Sequence, residues 1–150
     1  MIVRVRSLTE YTPEVAEAMR GLLVELSRSG TDKGEIPEEW FQDVISSPYH
    51  DVLLAWDEEQ HTVVGMATMS ITMGLGIRKN AYLEDFVVSS AVREGGIGSA
   101  LWTAMEMWAK GKGCARMEFT CGNGREVAQQ FYKNHGAEIY DTNFFRKELK

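Results

Sequence analysis

The chain opens on Ile2-Val3-Arg4-Val5-Arg6, where apolar and charged positions alternate as in a strand with one wet face. The period then lengthens. Val15, Ala18, Met19, Leu22, Leu23 and Leu26 recur at three-four spacing, which predicts a helix to about Ser27. Thr12 suits its N-cap and Pro13 its first position. Residues 29–34 are polar and read as a flexible loop, and a second short helix is expected over 37–46, with Trp40, Phe41, Val44 and Ile45 on one side. From Asp51 the pattern returns to β. Residues 52–56 and 62–72 predict two strands of a hairpin turning at 57–60, and 74–80 reads as a loop.

The stretch 82–110 organises the rest. Phe86, Val87 and Val88 form the continuous apolar run of a buried strand, and Ser89-Ser90 and Arg93-Glu94-Gly95-Gly96-Ile97-Gly98 follow as a turn. After Gly98 the spacing becomes helical, with Leu101, Trp102, Met105, Met107 and Trp108 largely on one face. Strand, glycine turn and helix in this order make an anion site. Glycines allow close backbone approach, and a helix start offers N–H groups and the positive end of its dipole. A dinucleotide fingerprint would need a third glycine where Leu101 stands, and a P-loop would need a lysine before Ser99, so neither fits. Beyond the helix, 115–120 is expected as a strand, 125–134 as a short helix closed by Gly136, and 138–149 as a last strand holding Tyr140, Phe144 and Phe145.

Composition narrows the function. At 150 residues the chain is long enough for one domain with its own core. No apolar run approaches the length of a membrane span, and the charged start is not expected to be a signal peptide. The net charge of −6 lacks the basic excess of a nucleic-acid binder and mildly favours a cationic substrate. Cys114 and Cys121 flank a predicted strand that would separate them by roughly 23 Å, too far for a disulfide. They are expected as free thiols in a cytoplasmic protein. His50, His61 and His135 are dispersed, so no metal is expected.

The Arg-x-x-Gly-x-Gly pattern of Arg93, Gly96 and Gly98, directly after a strand, resembles the pyrophosphate loop of the GNAT superfamily of acyl-CoA N-acyltransferases. A second segment, Gln130-Phe131-Tyr132-Lys133-Asn134-His135-Gly136-Ala137, is similar to that family's last helix-to-strand segment. The strand Tyr82-Leu83-Glu84-Asp85-Phe86 resembles that of spermidine/spermine and other small-amine acetyltransferases. The resemblance spans the chain and implies a mixed α/β (α+β) fold: a mixed sheet, a central strand–glycine loop–helix, and helices on both faces. It implies acetyl-CoA as cosubstrate, held by Phe86, Val87, Val88, Arg93, Glu94, Gly95, Gly96, Ile97, Gly98, Ser99, Asn123 and Tyr132. Two features depart from the pattern. Glu94 brings a negative charge to the loop, and Arg125 stands where many members have asparagine, with Asn123 two residues earlier.

The chemistry implied is direct acetyl transfer to a primary amine. Such an amine arrives protonated, with pKa about 10, and only its neutral form attacks a thioester. A carboxylate can accept that proton directly or through water, and Glu84 is expected as general base, while the resemblance implies Tyr132 as general acid. Adjacent strand residues face opposite ways, so Glu84 and Asp85 cannot share one environment unless a bulge intervenes, and Asp85 stays open as the alternative base. Backbone N–H groups near Val87 and Val88 are expected to polarise the carbonyl. The expected acceptor is a small-molecule amine. A protein N-terminus or lysine is the alternative, and a non-catalytic acyl-CoA-binding module is the alternative of another class. A homodimer is compatible with the resemblance, while nucleic-acid and membrane partners are not expected.

Overall fold

The computed structural model of the chain describes residues 1–93 and 95–150. The chain divides into two compact units, Met1–Phe119 and Thr120–Lys150. The first holds β1 (Val3–Ser7), α1 (Pro13–Leu26), α2 (Glu38–Ser46), β2 (His50–Asp57), β3 (Thr62–Gly74), β4 (Arg78–Val88), a short 3-10 turn (Ser90–Val92), α3 (Ile97–Gly111) and β5 (Met117–Glu118). The sheet runs β1-β2-β3-β4-β5, antiparallel throughout except for the parallel pair β4–β5. It is the expected mixed α/β arrangement.

Alternation along the strands sorts the core between two faces. Val52, Leu54, Val63, Met66 and Val87 point to one side and pack with Met19 and Leu22 of α1 and Phe41 of α2. The other side carries Leu53, Ala55, Gly65 and Ala67 beneath α3, which buries Ile97, Leu101, Trp102, Met105 and Ala109. Small residues here let the helix approach closely. A Cβ at Gly65 would lie 3.1 Å from Leu101 Cδ1 and 3.2 Å from the Val87 carbonyl oxygen. Gly65→Val is therefore expected to cost about 1–3 kcal/mol through overpacking. The loss would be read as a lower urea midpoint with an unchanged slope, and a midpoint equal to that of the parent would show that α3 can shift freely.

Local signals hold where the chain decides alone. Thr12 caps α1, its Oγ1 accepting from the Val15 N–H at 3.2 Å, with Pro13 in the first turn. Several readings are corrected. Residues 74–80 are not a loop: β3 and β4 pair from Gly74↔Arg78 onward, and only Leu75, Gly76 and Ile77 form the turn. The segment 29–34 is a loop as expected, with Arg20 pairing Asp32 within it, Nε–Oδ1 at 2.9 Å and Nη2–Oδ2 at 2.6 Å. Trp40 and Met107 are exposed, since α2 and α3 each turn them away from the faces that pack.

In the second unit, α4 (Glu126–Asn134) ends as expected, with Gly136 in the left-handed region at φ +88. The strand expected over 138–149 does not form: these residues have no regular secondary structure. Ile139, Tyr140, Phe144, Phe145 and Leu149 are exposed. Tyr140 and Phe144 fall on one parity and Ile139, Phe145 and Leu149 on the other, so neither face collects a clean apolar row. The strand expected over 115–120 shrinks to Met117–Glu118. Both cysteines are free thiols. Among the described residues no helix is long and apolar enough to cross a membrane.

Candidate functional site

The site is built around a break in the regularity of β4. Thr68 pairs with Glu84, but Met66 pairs with Val87, so Asp85 and Phe86 together oppose Ala67. This is a β-bulge, and Asp85 adopts φ +50 within it. Aspartate enters the left-handed region more readily than most side chains, which suits it to this position.

The extra residue re-aims the backbone. The Ala81 N–H donates to Arg116 O at 2.9 Å, on the β5 side, whereas the Ser89 N–H donates to Val64 O at 2.8 Å, on the β3 side. In an unbroken strand these two N–H groups, an even number of residues apart, would face the same way. Past the bulge, Val87 therefore turns its N–H toward β3, and Phe86 and Val88 turn theirs away from it. On that side β5 pairs only with Ala81 and Tyr82, so β4 runs on beyond the parallel ladder. The bulge thus reverses which backbone groups of β4 face β3.

The turn after β4 is anchored from α1. Glu25 Oε2 accepts from the Ser90 N–H at 2.9 Å and lies 3.8 Å from Arg93 Nη2, and Arg93 Nη2 also donates to Val88 O at 3.2 Å. Arg93 thus spans from the start of the glycine loop back to the end of the strand. Gly96 is the N-cap of α3 at φ +77, a conformation that strains any L side chain, and the space where a Cβ would project is open. Ile97 is buried, Gly98 half-buried and Ser99 exposed. No acidic residue stands in the first turn of α3, and its first helical bond runs from the Ala100 N–H to Gly96 O. The Ile97 and Gly98 N–H groups at this helix start and the dipole behind them fit a pyrophosphate. Glu94 lies outside the described residues.

In the second unit, Gln129 Nε2 clasps the turn before α4, donating to Gly122 O at 2.9 Å and Asn123 O at 3.1 Å. Asn123 is exposed and Tyr132 half-buried. Burial raises the Tyr132 hydroxyl above its ordinary pKa, Cys121 adds to the rise, and Arg125 opposes it. The hydroxyl is therefore held protonated, the state a general acid requires.

The model of the acetyltransferase (GNAT) family matches residues 16–137. The chain belongs to this family. It is accordingly an acetyl-CoA-dependent N-acetyltransferase. Solved structures share the fold. One is described as a transcriptional regulator from Bacillus halodurans, with a TM-score of 0.81, 23% identity, and coverage of 99% of this chain and 100% of that one. Another is the glucosamine-6-phosphate N-acetyltransferase of Arabidopsis thaliana, with a TM-score of 0.74, 19% identity, and coverage of 98% and 99%. A third is an aminoglycoside N-acetyltransferase in complex with CoA, with a TM-score of 0.77, 20% identity, and coverage of 99% and 96%. At such identities the likeness is one of fold.

Within this family fold, β4, the bulge, the glycine turn and the start of α3 are continuous along the chain, and they bring Phe86, Val88, Arg93 and Gly95 to Ser99 onto one strand-to-helix crossing. The Val87 side chain instead joins the core packed against α1 and α2. Glu84 is exposed, on the sheet face opposite α3. Two contributions escaped the sequence reading. The Glu25 anchor joins residues 65 positions apart, and no local signal marks it. The backbone of Asp85 was masked by its carboxylate, which drew attention as a base. We expect Asp85→Gly, which keeps access to positive φ, to retain most activity and stability. Asp85→Val should lose about 1–2 kcal/mol of stability, with activity falling as the bulge is disturbed. A hundredfold rate loss in folded Asp85→Gly would instead make the carboxylate chemical.

Proposed function

We propose that the chain transfers an acetyl group from acetyl-CoA directly to a primary amine of a small molecule. In this reading it acts as one N-acetyltransferase domain over 1–150, in the cytoplasm, where Cys114 and Cys121 stay free thiols. The observation that carries the reading is the bulge in β4, which leaves Glu84 exposed in register with Thr68 directly ahead of a glycine-capped helix start. Acetyl-CoA, when bound, supplies an acyl thioester open to a nitrogen nucleophile.

The chain's own groups then divide the work. The backbone of Gly96, Ile97 and Gly98 holds the pyrophosphate at the start of α3, with Gly95 shaping the turn and Arg93 holding the loop against the end of β4. The β4 backbone near Val88 orients the acyl arm and polarises its carbonyl. Glu84, exposed to solvent, takes the proton from the incoming ammonium directly or through a water. Tyr132, whose phenol keeps its proton and is pushed up further by burial, returns a proton to the departing sulfur. Asn123 is assigned to the coenzyme side through the tyrosine motif it precedes. Neither cysteine takes part.

The test is thiol release from acetyl-CoA across polyamines, aminoalkylphosphonates, aminosugars, amino acids and peptides. Release that depends on a small amine is expected. Turnover of peptides alone would replace the substrate class with a protein amine. Coenzyme binding without release to any amine would leave only the binding-module reading.

A further inference from the structure

The strand register sets a polar surface on the sheet face opposite α3. On the α3 side of the same strands lie Ala67, Met69, Ala81 and Leu83, all buried. On the other side Thr68 stands opposite Glu84, Ser70 opposite Tyr82 with Glu118 next to it on β5, and Thr72 opposite Asn80. An apolar sheet centre carrying a continuous polar row on one face has a job other than packing.

Asn80 indicates what that job is. It is 3% exposed, and its Nδ2 donates to Glu118 Oε1 at 2.8 Å. That bond orients the amide, because the reverse setting would place its oxygen against the carboxylate. Oδ1 is left buried with no hydrogen-bond partner among the described residues. An unsatisfied buried carbonyl costs about 1–3 kcal/mol, so its retention calls for a partner that arrives from outside. Oδ1, the Glu118 carboxylate and the Glu84 carboxylate are all acceptors, so that partner is a donor. Arg78 shares this face, but its guanidinium lies over Gly74 at the far end of the strand.

We propose that Asn80 and Glu118 form a second recognition point for the acceptor, which is an extended amine bearing a further donor, an ammonium or a hydroxyl, away from its reacting nitrogen. This rests on the acetyl-transfer reading, with the reacting nitrogen at Glu84. Strand rise places the Tyr82–Glu118 row about 7 Å and Asn80 about 13 Å along β4 from Glu84, which fixes the reach required. A short monoamine cannot bridge it.

The experiment compares α,ω-diamines, amino alcohols and n-alkylamines of matched, increasing length in the thiol-release assay. Calorimetry of the same amines on CoA-loaded protein provides a readout without turnover. Once the chain spans the reach, the better of diamine and amino alcohol should exceed the matched alkylamine about tenfold or more in kcat/KM. Which of the two wins identifies the donor. Glu118→Gln, at an exposed residue, and Asn80→Leu should each collapse that ratio. Equal values across the three series, or a ratio unchanged in folded Glu118→Gln, would overturn the proposal and leave Oδ1 as a water site. No turnover of any amine would sink the acetyl-transfer reading. In that event equal calorimetric affinities would sink this one too, and a retained donor preference would uphold it.

Discussion

Glu84→Gln is expected to lower kcat/KM by about 10²–10⁴ near neutral pH, the usual cost of losing a general base. The amide keeps the size of the side chain and its exposed position opposite Thr68, so folding should be unaffected. The loss comes from the amine, which reaches the site as an ammonium and has no group to take its proton. As pH rises toward the ordinary range of an alkyl amine, near pH ~10, free amine becomes abundant. The deficit should shrink accordingly. Initial rates of thiol release for parent and variant, measured at saturating acetyl-CoA from neutral to alkaline pH, check this. A drop of only two- or threefold at neutral pH, or a deficit that does not change with pH, would remove Glu84 as the base.

Tyr132→Phe is expected to slow turnover over the same range, about 10²–10⁴, while leaving acetyl-CoA affinity nearly intact. Unlike that of Glu84→Gln, its deficit should not shrink as pH rises toward about 10. Burial, with Cys121 adding, lifts the Tyr132 hydroxyl above its ordinary value near 10 and outweighs Arg125. The phenol therefore stays protonated through neutral and mildly alkaline pH, and the parent should show no alkaline fall from this group below about pH 10. Removing the hydroxyl takes away a proton that free amine cannot replace, so high pH should not rescue the variant. Coenzyme affinity by calorimetry, together with the pH profile of kcat, separates the outcomes. Rescue at high pH, or loss of affinity with unchanged kcat, would show that Tyr132 is not the acid.

The two variants differ in how directly their residues could be read. Tyr132 lies in a helix that ends at Gly136, and both the helix and its glycine stop follow from local pattern. Glu84 was visible as a carboxylate in an apolar strand, but its face was open, because a neighbouring aspartate offered the same chemistry. The structure separates the two: Glu84 stays in register with Thr68, while Asp85 sits in the bulge at positive φ. Nothing in Glu-Asp as a dipeptide announces positive φ. It emerges from the pairing of β4 with β3, which is a long-range matter.

What the sequence determined alone is whatever depends on neighbours within one turn or one strand. The capped start of α1, the change of period at Gly98 and the strand-to-helix order around the glycine loop all belong here. Helix caps, side-chain periodicity and glycine conformation act over a few residues, so their energetics are written locally. What only the tertiary structure decided depends on partners far along the chain. Pairing with β3 made a strand of residues read as a loop, and 138–149, exposed and without a pairing partner in the sheet, forms no strand despite its aromatic residues. The Glu25 anchor, the reversed backbone past the bulge and the unpartnered oxygen of Asn80 have the same origin. Each arises where one element's register or packing satisfies, or leaves unsatisfied, the backbone and polar groups of another, and that accounting closes only once the chain is folded.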